Sequence, residues 1–397
     1  MRVDYAKAVY GIEEEQAVID VLRNLKVLVG GKKTSEFEES IAKIFGKKYG
    51  VFVNSGSSAN LLALKVLGLP EGSEIITPIL TYSTTVAPIL QCGLKPVFVD
   101  TKIGTYQIDV DKIRSKITNK TKAILIPSLL GNVPDMKTLR EICDENHLIF
   151  IEDSCDTIGP TFNGLPTGHY SDITTTSFYA SHVMTAAGTG GMVCFNNDLW
   201  KTKCKVLRGW GRSSAADESE DLEKRFNIHI DGIKYDSKFI YDELGYNFLA
   251  NDISAAFGLE QLKKLNTFIE SRINNHKILA SFMSKYERFF VLPKQFPEVR
   301  TAWLAFPLTI KPGAPFTREQ ITVHLEKNNI QTRPVFSGNL LRHPAFKNCS
   351  HQSPEEFPIA DAIMRNSFLI GCHHGLTDEQ INYMLLNYSQ DDLSLLK

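Results

Sequence analysis

The chain has 397 residues, 43% hydrophobic and 22% charged, with a formal net charge of −1; this is enough for one large α/β domain and a smaller one. The balanced charge argues against a polyanion-binding surface, so no nucleic-acid partner is expected. No apolar run reaches membrane-span length, Met1-Arg-Val-Asp-Tyr-Ala-Lys7 carries no apolar signal core, and the seven scattered Cys form no CxxC pair, so a cytoplasmic protein with reduced thiols is expected and no membrane partner.

Residues 11–28 read as a helix, because Ile12, Val18, Ile19, Val21 and Leu22 recur at helical spacing. Val29 to Lys33 reads as a loop, and a second helix opens at Ser35, a serine cap followed by early acids. From residue 50, seven strand-like runs alternate with helical patterns: 51–53, 74–76, 96–99, 123–126, 148–151, 173–178 and 191–195. β-branched runs bounded by Gly, Pro and Asp, with helices between them, imply a mostly parallel sheet covered on both faces. Ligands of such sheets sit at the carboxyl ends of the strands, where Asn54, Asp153 and Ser177 fall. Residues 212–238 read as a polar, solvated insertion. After Gly258 a long helical pattern runs to about residue 286 and leads into a smaller α+β domain. Strands are expected there at 302–310, 330–336 and 368–371, and helices at 317–328 and 377–388. The expected division is 1–255 and 256–397.

Three stretches carry chemistry. Asn54-Ser-Gly-Ser-Ser-Ala-Asn60 joins a strand to a helix, and close-turning Gly, Ser hydroxyls and free amides at a helix start suit a phosphate dianion. Glu152-Asp-Ser-Cys-Asp156 ends an apolar run in acids. A strand-end acid can be a cap or a metal ligand, but no His or Cys spacing supports a metal. The third, Ser177-Phe-Tyr-Ala-Ser-His182, is followed by the return Gly188-Thr-Gly-Gly191. An imidazole can move protons near neutral pH.

Together these stretches resemble the DegT/DnrJ/EryC1/StrS family, the sugar-modifying branch of the fold-type I pyridoxal phosphate (PLP) enzymes. The resemblance covers about residues 5–390 and implies an aspartate aminotransferase-like α/β fold with a large PLP-binding domain. It assigns Gly56, Ser57, Ser58 and Ser177 to the cofactor phosphate, Tyr82 to the pyridine face and Asp153 to the pyridine nitrogen. Most members carry a Lys that binds the cofactor covalently at the position of His182, and imidazole cannot do so. The departure implies a sugar 3-dehydratase with non-covalent PLP or pyridoxamine phosphate (PMP) and His182 as the catalytic base. Asp156, in the Asp-x-Cys-Asp form, also looks like the dehydratases.

Asn247, in Gly245-Tyr-Asn247, resembles the family residue that reaches the partner subunit's cofactor phosphate, which implies a homodimer with shared sites. Thr332-Arg-Pro-Val-Phe-Ser-Gly-Asn-Leu-Leu-Arg-His-Pro344 resembles the dehydratase segment; Arg333 or Arg342 would clamp a carboxylate or diphosphate, and Asn339 would join them at the substrate. Trp210-Gly-Arg212 is followed by Ser213-Ser214 where reductase-dependent dehydratases carry a Cys pair, so neither an iron–sulfur cluster nor a reductase partner is expected. The implied substrates are L-glutamate and a nucleotide-linked 4-keto-6-deoxy sugar, GDP-linked by preference, hexose or heptose. A nucleotide-sugar aminotransferase and a catalytically silent regulatory dimer are the alternatives.

Overall fold

The computed structural model describes residues 1–24, 27–216, 221–351, 353 and 356–388. All seven expected runs are strands of one sheet: β1 (Tyr49–Val53), β2 (Glu74–Pro78), β3 (Lys95–Val99), β4 (Thr121–Pro127), β5 (Ile149–Asp153), β6 (Ile173–Ser177) and β7 (Gly191–Phe195). Their order is β1-β7-β6-β5-β4-β2-β3. β7 is antiparallel to both of its neighbours, and the remaining pairs are parallel.

Side chains on both faces of the central strands are buried because helices cover both. On one side α3 (Gly56–Lys65) and α6 (Asp198–Arg208) pack Ala59, Leu62 and Leu207 against Val53 and Val193. On the other, α2 (Lys32–Ile44) and the 32-residue helix α7 (Asp252–Met283) pack Phe37, Leu265 and Ile269 against Phe52 and Met192. Further along that sheet, α5 (Met136–Asn146) buries Met136, Leu139 and Ile142. Each fully buried aliphatic or aromatic side chain contributes about 1.5–3 kcal/mol relative to exposure. Phe37 contacts the Phe52 and Phe178 rings at centroid distances of 5.0 and 4.9 Å, which anchors the residue following β6.

Two helix starts differ from expectation. α2 begins at Lys32, and its cap is not Ser35. The Asp252 carboxylate, 221 residues away, accepts the Gly31 N–H at 2.8 Å and the Thr34 N–H at 3.1 Å, satisfying donors that a local cap would otherwise take. α7 starts at Asp252, before Gly258, because Asn251 caps it through the Ser254 N–H. Gly258 lies inside the helix, where a Cβ would come within 2.6 Å of the Phe37 ring; it is a packing glycine and not a breaker. The expected domain boundary at 255/256 thus falls within the first turn of a continuous helix. The first helix, α1 (Ile12–Asn24), ends before residue 28, with residues 25 and 26 outside the described set.

Beyond α7 an antiparallel sheet has the order β8-β9-β11-β10, with β8 (Phe290–Val291), β9 (Ala305–Ile310), β10 (Thr332–Pro334) and β11 (Ser367–Gly371). The expected helices form as α8 (Arg318–Lys327) and α10 (Asp378–Leu386), each opened by a Thr/Gln capping box. α9 (Pro358–Asn366) was not anticipated. Residues 3–5, expected with the large domain, lie against the small sheet, where Val3 bridges Ile330. The insertion is more than a solvated loop. Its described part holds the short helix Leu222–Phe226 and a hairpin pairing Ile228–Ile230 with Ile233–Tyr235; residues 217–220 of its acidic stretch lie outside the described set. Among the described residues no helix is long and apolar enough to cross a membrane.

Candidate active site

The carboxyl ends of β1, β4, β5 and β6 open into a cavity of about 370 Å³, at the end of the sheet where parallel strands deliver ligands. Its floor is Asp153, the last residue of β5. One carboxylate oxygen accepts from Asn60 Nδ2 at 2.8 Å and Thr85 Oγ1 at 2.9 Å. The other accepts the Cys155 N–H at 3.2 Å. Asn60 is itself fixed, because its carbonyl accepts from Thr175 Oγ1 at 2.6 Å. The carboxylate is buried and held in one orientation.

At one end the chain turns from β1 into α3. Ser55 caps the helix by accepting the Ser58 N–H, while the helix start at Gly56 and Ser57 faces the cavity. A Cβ on Gly56 would lie 2.7 Å from Ser177 Cβ and 2.8 Å from Cys155 Sγ, so only a glycine leaves this cradle open. Ser57 donates to Thr84 Oγ1 at 2.9 Å. Ser58 does not reach the cavity lining; its hydroxyl is turned to Ser55, and it is Ser55 that lines the cavity. Ser177, closing β6, lines the same end.

His182 stands on the link between β6 and β7. That link is held shut by Phe178 N–H to Gly190 O at 2.9 Å and Ala180 N–H to Gly188 O at 3.2 Å. Positive φ at Ala187, Gly188 and Gly190 makes the return. The imidazole lines the cavity, with Nδ1 facing the Ser177 carbonyl at 3.4 Å. That contact selects the Nδ1–H tautomer and leaves Nε2 free to take a proton. Burial pushes the imidazole down to about 4; the Ser177 carbonyl works the other way, and the Arg272 charge adds to the lowering. In the resting site the ring is a neutral base.

Asp156 also lines the cavity and accepts the Leu130 N–H at 2.8 Å. Burial pushes its carboxyl up to about 7, against the Leu130 N–H and with the help of the Asp153 charge. Tyr82 lies at the mouth, edge-on to Phe336 of the small domain at 5.9 Å. Tyr5, carried in by the N-terminal segment, completes that wall, with the Arg333 guanidinium 5.5 Å from its ring centroid. Arg333 is exposed and is the one proposed substrate residue placed at this wall.

Besides Ser58, three sequence candidates are not brought to the cavity. Asn339 and Arg342 both bind Asp361 in a separate groove, so neither is free for a ligand in this cavity. Asn247 is exposed and bridges Gly209 through its backbone, outside the cavity of its own chain. Sequence reasoning missed Ser55, Asn60, Thr85, Tyr5 and Phe336. Asn60 had a signal, a polar residue one helical turn beyond the Gly-Ser turn. Tyr5 had none.

The residues present fit PLP: a helix start with an open cradle for a dianion, a fixed carboxylate for a ring nitrogen, an aromatic side chain at the mouth and a base opposite. Comparison with known proteins agrees. Residues 10–386 match the model of the DegT/DnrJ/EryC1/StrS aminotransferase family. The chain is 35% identical to dTDP-4-dehydro-2,6-dideoxy-D-glucose 3-dehydratase of Saccharopolyspora spinosa, over 95% of this chain and 84% of that one. It is 32% identical to GDP-4-keto-6-deoxy-D-mannose 3-dehydratase of Yersinia pseudotuberculosis, over 93% and 94%. The solved structure of Escherichia coli GDP-4-keto-6-deoxy-D-mannose-3-dehydratase with bound hydrated PLP superposes with a TM-score of 0.87 at 28% identity, covering 98% of this chain and 100% of that one.

Proposed function

The chain belongs to the DegT/DnrJ/EryC1/StrS aminotransferase family, as a fold-type I, PLP-dependent sugar-modifying enzyme, and from that premise we propose that it is a 3-dehydratase of a nucleotide-linked 4-keto-6-deoxy sugar. The observation that carries the reading is the neutral imidazole of His182 on the loop where the family places a lysine. The relatives named above, one named for a dTDP-linked sugar and one for a GDP-linked sugar, support the substrate class, and GDP is the preferred nucleotide by analogy with the second.

Bound here, the cofactor supplies an electron sink and, in its amine form, a nitrogen that condenses with a ketone. The chain's residues do the rest. Asp153 keeps the proton on the pyridine nitrogen. Gly56, Ser57 and Ser55 hold the phosphate at the α3 start with Ser177. His182 Nε2 takes a proton from the α-carbon of L-glutamate and delivers it to the cofactor's C4′. With the sugar in place it removes a C4′ proton, and as imidazolium it faces the departing C3 hydroxyl as general acid. Ammonia and a 4-keto-3,6-dideoxy sugar leave. Without a lysine the cofactor is held by these non-covalent contacts alone. Asn247 belongs to the partner's site in a homodimer, and no reductase or iron–sulfur cluster takes part.

The family's description as aminotransferases keeps sugar transamination as a second reading, separated from the first by product mass, since an amino sugar retains the nitrogen and the C3 oxygen. The test is to mix the protein with PLP and excess L-glutamate, following absorbance and 2-oxoglutarate, then add GDP-4-keto-6-deoxymannose and record a mass spectrum. A 3-deoxy ketone with free ammonia is expected, and an amino sugar would overturn the reading. His182→Asn should bind PLP and lose both half-reactions; turnover retained in that variant would remove His182 from its role.

A further inference from the structure

Arg272 lies near the middle of α7 with none of its surface exposed. Among the described residues no carboxylate pairs with it. Its fork is instead spent on backbone carbonyls: Nη2 donates to His182 O at 3.4 Å, and Nη1 donates to Trp303 O and Leu304 O, both at 3.1 Å. Nε donates to His374 Nδ1 at 3.1 Å, which fixes His374 as the neutral Nε2–H tautomer. Burying a cation without a counter-charge is costly, and burial lowers the guanidinium only to about 10, so it stays charged at neutral pH.

The two carbonyl sets belong to separate segments of the chain that meet at the cavity. His182 and Leu304 both line it, one on the β6–β7 loop and the other at the approach to β9. The same helix holds the loop a second time, through Gln261 Oε1 accepting the Thr185 N–H at 3.4 Å. We propose that Arg272 is a positioning residue: its planar fork locks the His182 backbone to the Trp303–Leu304 edge, setting the imidazole at a fixed distance from the substrate wall. A lysine offers no such fork. The guanidinium charge has a second effect, since a like charge beside the ring disfavours imidazolium. The other titratable groups lining the cavity around His182 are Tyr179 on its own loop, Tyr5 on the N-terminal segment, Tyr82 just before the helix Ser83–Gln91, and Asp153, Cys155 and Asp156 at and just beyond the end of β5.

This inference rests on His182 being the base, and its test keeps the two apart. Arg272→Gln and Arg272→Lys are compared with the unaltered protein by PLP affinity, by single-turnover 2-oxoglutarate formation, and by histidine NMR titration of His182 before PLP is added. Arg272→Gln should bind PLP within about threefold, slow the glutamate half-reaction at least about tenfold and move the His182 midpoint upward. Arg272→Lys should slow the half-reaction and leave the midpoint low. Unchanged half-reaction and midpoint in Arg272→Gln would overturn the proposal, as would losses of PLP affinity, rate and thermal stability in proportion, which describe a structural tie. Should Arg272→Gln fail to fold, Arg272→Lys decides: a wild-type half-reaction overturns the proposal, and a slowed one with intact PLP binding upholds it. Turnover in His182→Asn would instead remove the base assignment, whereas the NMR midpoint reports on Arg272 without any turnover.

Discussion

The side-chain amide of Asn60 donates to Asp153 across 2.8 Å, tying α3 to the end of β5 over 93 residues of sequence. The helix that presents the phosphate cradle therefore also orients the carboxylate expected at the pyridine nitrogen. Asp153→Asn keeps the size and removes the charge. Single-turnover 2-oxoglutarate formation should fall about 100-fold or more, the scale of a lost electrostatic contact in a dry site. A rate within a few-fold of the unaltered protein would reject Asp153 as the partner of the ring nitrogen.

Asp156 makes stability depend on pH. Its carboxyl is pushed up to about 7 in the fold, above its value in the unfolded chain, so folding is disfavoured progressively as pH rises from about 4 to about 7. Asp156→Asn keeps an oxygen for the Leu130 N–H and removes the ionisation. It should raise the melting temperature of the cofactor-free protein more at pH 8 than at pH 5. Equal shifts at the two pH values, followed by scanning fluorimetry, would contradict this assignment.

Gly56→Ala places a methyl between Ser177 and Cys155. The crowding should destabilise the protein by about 1–3 kcal/mol. It should also weaken PLP at least about tenfold, because the added group occupies the dianion's approach to the helix start. Fluorescence titration with PLP reads this directly, and undiminished affinity would place the phosphate elsewhere.

Arg333 and Arg342 should behave differently despite lying nine residues apart. Arg342 is engaged by Asp361 in a separate groove, so Arg342→Ala should leave the KM for the nucleotide sugar within about twofold. Arg333 lies beside Tyr5 with Nη1 donating to the Thr332 carbonyl at 2.7 Å and no carboxylate paired with it among the described residues, and Arg333→Ala should raise that KM about tenfold, the scale of one charge-assisted contact. Steady-state kinetics on both variants decides whether either clamps the substrate.

The seven strands of the large sheet were legible because each is a short β-branched run with a punctuating Gly, Pro or Asp. His182, Asp153 and Gly56 stand out in the sequence because each ends or follows such a run, but the roles proposed for them come from the family resemblance and not from the spacing. What escaped was set at long range. The α2 cap comes from Asp252, and no local pattern announces a cap more than 200 residues away. Tyr5 reaches the cavity because residue 3 joins the small sheet, and Phe336 because its backbone adopts a positive φ that a bulky residue rarely takes. Ser55 lines the cavity and Ser58 does not, because Ser55 stands at the N-cap at the cavity end of the helix and Ser58 lies inside its first turn, buried with its hydroxyl against Ser55. The hairpin at 228–235 did carry a signal that was passed over: Asp231-Gly232, both with positive φ, sits between two short strand-forming runs, the pairing that favours a tight turn.

The antiparallel seat of β7 between β1 and β6 has a consequence for how such a site can change. Parallel neighbours need a crossover that travels to the far end of the sheet and back. Residues 178–190 make no such journey; they leave β6 and re-enter beside it, zipped by their own backbone bonds. The residue at the tip bears chemistry but no topology. On the proposed reading, a histidine in place of the family's lysine would turn the site from adding a nitrogen to a sugar toward removing an oxygen from it while asking nothing new of the fold.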